Sequence, residues 1–258
     1  MPRKPIMAAF NQGAVPTIAC INSATVGLGV DLDKLVRVLQ KFLDDCFTPI
    51  WGTPAKLVKA TKPLEGAWTM VFLDDPDAPN ALGYHDLTAN GLPLSKIFVK
   101  PTLRVGDKVS VTACHELAEM MIDPAINLWC DGPGGTLYAY EMCDAVEEEE
   151  FLIDGVAMSD FVYPAYFEGF RSPRSVQFDY LKKIDHPFQI LHGGYSIIRQ
   201  GTKETEIFGS AAKRLKFANE DRRFHRSEYR KIGQSKDLDL ASAVSGRRPS
   251  RLTIEFGS

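Results

Sequence analysis

His115, Glu116 and Glu119 stand together in an otherwise almost wholly apolar run, Val109 to Pro124. Ionisable side chains are costly to bury, so three of them in one apolar segment of helix length ask for a chemical reason. Read as a helix ended by Pro124, the run carries His115 and Glu119 four residues apart, on one face and one turn from each other. That spacing lets an imidazole and a carboxylate grip one metal ion. Glu116 points beside the pair, where a carboxylate can serve as general base. The competing account is a partly buried ion pair beside a core stripe of Val111, Cys114, Ala118 and Met121.

A metal site needs at least one more ligand. Asp123 is the nearest carboxylate, but it lies eight positions on (115 to 123), roughly 12 Å along a straight helix. Pro124 also disfavours helical backbone at Asp123, which is expected to end the helix. Cys114 projects about 100° away from His115, which argues against a Cys-His nucleophile. His85, in Gly83-Tyr84-His85-Asp86, could line a cleft but reads as a structural strand histidine, and His186 and His192 receive no role. The run Glu147 to Glu150 and the turn Asp74-Asp75-Pro76-Asp77 read as solvated acidic surface, because both lack the Asp/Asn and Gly alternation of a calcium loop.

The elements that must position these residues are legible from periodicity. Thr17 to Asn22 reads as a buried strand. Asp31 caps a helix with Leu32, Leu35, Val36, Leu39, Phe42, Leu43 and Cys46 at helical spacing, stopping near Pro49 or Gly52. Lys56 to Thr61, Trp68 to Leu73, Gly83 to Thr88 and Ser95 to Lys100 read as strands. Asp107 or Ser110 is the expected cap of the His115 helix. Val156 to Phe167 and Phe188 to Ile198 read as extended. The order predicts an α+β fold, one helix layer on a mixed sheet. The chain divides into a domain over 1–200 and a basic extension over 201–258.

Composition sets limits on function. With 258 residues, 45% hydrophobic, 24% charged and a net charge of -3, this is the make-up of an ordinary globular chain. No apolar run approaches the roughly 20 residues of a membrane span. The five cysteines are scattered and read as reduced thiols of a cytoplasmic protein. Residues 201–258 hold 13 Lys+Arg against 8 Asp+Glu, which leaves 17 against 25 for residues 1–200 out of totals of 30 and 33. The basic stretch interleaves Lys213, Arg214, Lys216, Arg222, Arg223, Arg226, Arg230 and Lys231 with Phe217, Phe224 and Tyr229. Such a segment suits contacts with other copies of the chain, with a partner protein or, more weakly, with nucleic acid. A last strand, Leu252 to Phe256, could pair with another chain.

The order of a long helix, a twisted sheet and then a His-Glu helix resembles the zincin metallopeptidase fold over about residues 17 to 150. A zincin helix reads His-Glu-x-x-His, with two ligands and a carboxylate base between them. Here Glu119 stands at the second ligand position. The resemblance implies His115 and Glu119 as ligands, Glu141 as the third and Glu116 as catalytic base toward water in the open coordination position. Asp144 is an alternative ligand, or a carboxylate that orients His115. Two carboxylates and one imidazole make a hard, anionic site at which Mn²⁺ or Fe²⁺ competes with Zn²⁺. The implied activity is peptide hydrolysis. The stretches Gly83-Tyr84-His85-Asp86, Tyr140-Glu141-x-Cys143-Asp144 and Ser159-Asp160-Phe161-Val162-x-Pro164 are also similar to a family of phage and bacterial proteins. The alternative expectation is therefore a non-enzymatic structural or assembly protein, such as a phage virion component, using its arms for subunit contacts.

Overall fold

The computed structural model describes residues 15–78, 81–88 and 90–216. The first helix is set by its cap: the Asp31 carboxylate accepts from the backbone N–H groups of Asp33 and Lys34, opening α1 (Leu32–Lys41). The helix runs on through a widened π-type turn, Phe42–Phe47, into a final turn, α2 (Thr48–Trp51), closed by Gly52 in the left-handed region. The widening precedes Pro49, which has no N–H to give and crowds the carbonyl one turn earlier.

A five-stranded sheet lies under this helix. Its strands are β1 (Thr17–Asn22), β2 (Lys56–Ala60), β3 (Trp68–Leu73), β4 (Gly83–Leu87) and β5 (Pro93–Phe98), in the order β2-β1-β3-β5-β4. The first four in that order run parallel, and β4 runs antiparallel to β5 at the edge. Ile18, Cys20, Met70, Phe72 and Ile97 belong to the main core together with residues of the helices, while Ile21, Val71, Leu73, Leu94 and Phe98 form a smaller cluster on the other face. This is the period-two alternation of a sheet buried on both sides.

The segment expected as a strand to Lys100 turns helical at Val99. Phe98 leads directly into α3 (Val99–Arg104), where Pro101 sits in the first turn and its missing N–H leaves nothing unsatisfied. The helix of interest, α4, spans Val109–Ile122. Neither Asp107 nor Ser110 caps it; the N-cap is Lys108, which contributes no side-chain hydrogen bond to the helix end. α4 packs between the β4–β5 edge and a later strand, so it is buried nearly all round.

Beyond it come β6 (Trp129–Asp131), β7 (Leu137–Ala139), β8 (Glu150–Ile153), β9 (Val156–Ser159), β10 (Tyr195–Gln200), β11 (Lys203–Phe208) and α5 (Ala211–Lys216). An antiparallel sheet orders β11-β10-β7-β6, and β8 pairs with β9, which packs on α4. The extended readings shorten to β9 plus the 3-10 turn Pro164–Phe167, and to β10. The whole is α+β. No described helix is long and apolar enough to cross a membrane.

The expected boundary between residues 200 and 201 falls in the turn of the β10–β11 hairpin. Lys213 of α5 reaches back to Glu147 at 2.7 Å and Glu148 at 3.1 Å, while Glu149 and Glu150 pair with Lys183 and Lys108. The acidic run is thus a set of ion pairs. The turn at Asp74 is likewise structural, its carboxylate accepting from Thr25 and Val26 and pairing with Lys100. The rest of the basic stretch and the strand expected at 252–256 lie outside the described residues.

Candidate metal centre

α4 delivers His115, Glu116 and Glu119, and its neighbour β4 delivers His85. The close approach of the two elements depends on Gly83. A Cβ there would lie 2.9 Å from Glu116 Cγ, Glu116 Oε1 and Thr112 Cγ2 alike, so the Glu116 side chain occupies the space that any other residue would need. Glu141 follows β7, and Asp144 opens the 3-10 turn Asp144–Val146. That turn is seated against Gly194, where a Cβ would stand 2.2 Å from the Ala145 carbonyl oxygen.

Six ionisable side chains converge. Glu116, Glu119, Glu141, Asp144 and His85 are each at most 8% exposed, and the His115 side chain is 12% exposed. His85 Nδ1 lies 3.6 Å from Glu116 Oε2 and 3.8 Å from Glu119 Oε2; its Nε2 lies 3.8 Å from Glu141 Oε2. His115 Nε2 lies 3.2 Å from Glu119 Oε1 and 3.4 Å from Asp144 Oδ1. The backbone N–H of Cys143 donates to Glu119 Oε1 at 3.2 Å. Among the described residues, two sets of three have donor atoms all within 4.8 Å of one another: His85, Glu119 and Glu141, and His115, Glu119 and Asp144.

The electrostatics follow from this crowding. Burial alone would lower the His85 pKa, but Glu141, Glu116 and Glu119 outweigh it and raise it to about 10. His115 is likewise raised well above the usual histidine range, burial being overcome by Glu119 and Asp144. Glu119 is pushed up to about 8, mainly by burial, with His115 opposing and Asp144 and Glu141 adding to the rise. Without a cation from outside, the cluster holds protons on groups that would otherwise be metal donors.

The donor set fits a divalent ion. His85 Nε2 and Glu116 Oε2 are fully buried and make no hydrogen bond, a condition that costs about 1–3 kcal/mol per group. With each residue giving one atom, the donors of His85, Glu119 and Glu141 lie within 4.8 Å of one another, and ligands about 2.1 Å from one ion sit roughly 3–4 Å apart, so a small closing of the cluster would bring them onto an ion. A His/Glu/Glu group able to hold a metal ion is therefore present.

The expected residues are redistributed. His115, Glu119, Glu141 and Asp144 all belong to one set or the other, but Glu141 groups with His85 and His115 groups with Asp144. Glu116 lies against His85. Asp123 belongs to neither set: its carboxylate is fully buried and accepts from the N–H groups of Asn127 and Leu128, fixing the turn after α4. Cys114 faces away, toward the Ser159 carbonyl. His85, read as structural, lies among Glu116, Glu119 and Glu141. The available signal was Gly83 two residues before it, a residue without a Cβ in a strand that otherwise buries all its side chains.

Comparisons of the chain with protein-family models, with curated proteins and with solved structures found no match, so the functional reading stands on the chemistry of these six side chains.

Proposed function

We propose that the chain is a divalent-metal-dependent hydrolase of the metallopeptidase kind, its ion held by His85, Glu119 and Glu141 and its general base Glu116. The observation that carries this reading is a buried, convergent His/Glu/Glu set in which His85 Nε2, and Glu116 Oε2 next to it, meet charged neighbours but make no hydrogen bond. A chain that needed only a core would fill this space with apolar side chains at less cost. The element order of strand, long helix, sheet and His-Glu helix supports a zincin-like scaffold, and peptides are the substrate class that likeness suggests.

A bound divalent ion would supply Lewis acidity to a carbonyl substrate and to water. The protein's own part is positioning and proton transfer. Glu116 carries a carboxylate oxygen without a hydrogen bond, pressed between Gly83 and the His85 ring, where it can take a proton from an attacking nucleophile and return it to a leaving group. His115 and the Cys143 N–H fix Glu119, and Asp144 fixes His115.

The test is cleavage of unfolded protein and fluorogenic peptides by the Zn²⁺- or Mn²⁺-loaded chain, beside E116Q. The reading expects turnover that EDTA abolishes, and a loss of about 100-fold or more in E116Q with metal retained. Metal-loaded protein inert on peptides, or an E116Q variant as fast as wild type, would contradict it.

A further inference from the structure

We infer that the cluster takes a second divalent transition-metal ion, held by His115, Glu119 and Asp144, so that Glu119 bridges a two-metal centre. This rests on the reading of a first ion at His85, Glu119 and Glu141.

Glu119 faces two ways. Its Oε1 lies 3.2 Å from His115 Nε2 and its Oε2 lies 3.8 Å from His85 Nδ1, so each oxygen belongs to a different set of donors. The Cys143 N–H on Oε1 holds the carboxylate in that orientation. Each set is then completed by one imidazole and one further carboxylate: His85 with Glu141, and His115 with Asp144. A carboxylate that gives one oxygen to each of two ions holds them roughly 3.5–4 Å apart, the spacing of two-metal hydrolytic sites.

Charge points the same way. Glu116, Glu119, Glu141 and Asp144 are four carboxylates gathered in one buried space. The ion pairs of Glu116, Glu119 and Asp144 run to the two imidazoles. Two divalent ions with neutral imidazoles balance four carboxylates, whereas with one ion the balance is left to protons kept on the groups of the second set. His115, its side chain 12% exposed, is the member of the second set nearest to solvent.

The experiment counts ions in the full chain, stripped with EDTA and dialysed against Mn²⁺, by elemental mass spectrometry, with electron paramagnetic resonance on the same samples. Wild type should hold two equivalents and give the spectrum of an exchange-coupled manganese pair. H115A/D144A and H85A/E141A should each hold one equivalent, with the spectrum of an isolated ion, and circular dichroism checks that both are folded. The wild-type count and coupling decide the matter even if a variant fails to fold. One equivalent in wild type, kept in H115A/D144A, overturns the second ion and leaves the first. Two equivalents without coupling, or two retained in H115A/D144A, place the extra ion elsewhere and also overturn the inference. No metal at all overturns the inference together with the proposed function.

Discussion

Gly83→Ala tests whether the edge strand is shaped around Glu116. Gly83 is not in the left-handed region, so alanine is permitted by the backbone and, with room to spare, would stabilise the fold by about 0.4–1 kcal/mol. There is no room: the new methyl would sit 2.9 Å from Glu116 Cγ, Glu116 Oε1 and Thr112 Cγ2. Overpacking of this kind costs about 1–3 kcal/mol, so the net loss should be about 1–2 kcal/mol. Two of the three nearest atoms belong to Glu116, and an E116A background removes both, leaving the Thr112 methyl of the three. The cost of G83A should then fall to about 0–1 kcal/mol, a coupling of about 1 kcal/mol between positions 83 and 116. The assay is a double-mutant cycle from urea denaturation at constant m-value. Additivity of the two substitutions within about 0.5 kcal/mol would refute the argument that Gly83 is there to seat the base.

Three other outcomes are expected. Saturation with Zn²⁺ or Mn²⁺ at about 100 times Kd should stabilise the fold by about 2.7 kcal/mol, and thermal unfolding should move up by about 5–10 °C and return on EDTA addition. Because His85 holds its proton to about pH 10 and Glu119 to about pH 8 without metal, binding must expel protons. Titration calorimetry should show affinity rising about tenfold per pH unit for each proton displaced, and a pH-independent affinity between pH 6 and 9 would contradict the ligand assignment. Asp160, pushed up to about 8 by burial and by Asp179 beside it, has a folded pKa above its unfolded value. The stability it contributes is therefore present at low pH and lost as pH rises from about 4 to about 8. D160N keeps an acceptor for the Phe161 and Leu181 N–H groups, so denaturation at pH 8.5 should find it at least as stable as wild type, and at pH 4 the advantage should vanish.

What could be read from the sequence was local. The Asp31 cap, the stripe from Leu35 to Cys46 and the strands at Thr17 and Trp68 follow from periodicity and capping chemistry, which act over a few residues. The three ionisable residues of α4 were legible as a candidate site because charges buried in an apolar helix must find partners. His85 was not, because its meaning depends on β4 packing beside α4, a contact between elements far apart in the sequence that nothing in Gly83-Tyr84-His85-Asp86 encodes. Glu141 and Asp144 were reached by likeness; the meeting of Asp144 with His115 depends on a turn seated on Gly194, far along the chain. β11 was hidden for a similar reason. Lys203-Glu204-Thr205-Glu206 is too polar to read as a strand and becomes one through its pairing with β10.

The most direct test of the account is a crystal structure of the Zn²⁺-loaded chain with anomalous difference maps collected on either side of the zinc edge. The account predicts a peak among His85, Glu119 and Glu141, within about 2.0–2.2 Å of their donor atoms, with the Glu116 carboxylate beside it and not bound. A map without a peak there, with His85 and His115 still engaged only by their carboxylates, would contradict it and leave a buried ion-pair network in place of a metal centre.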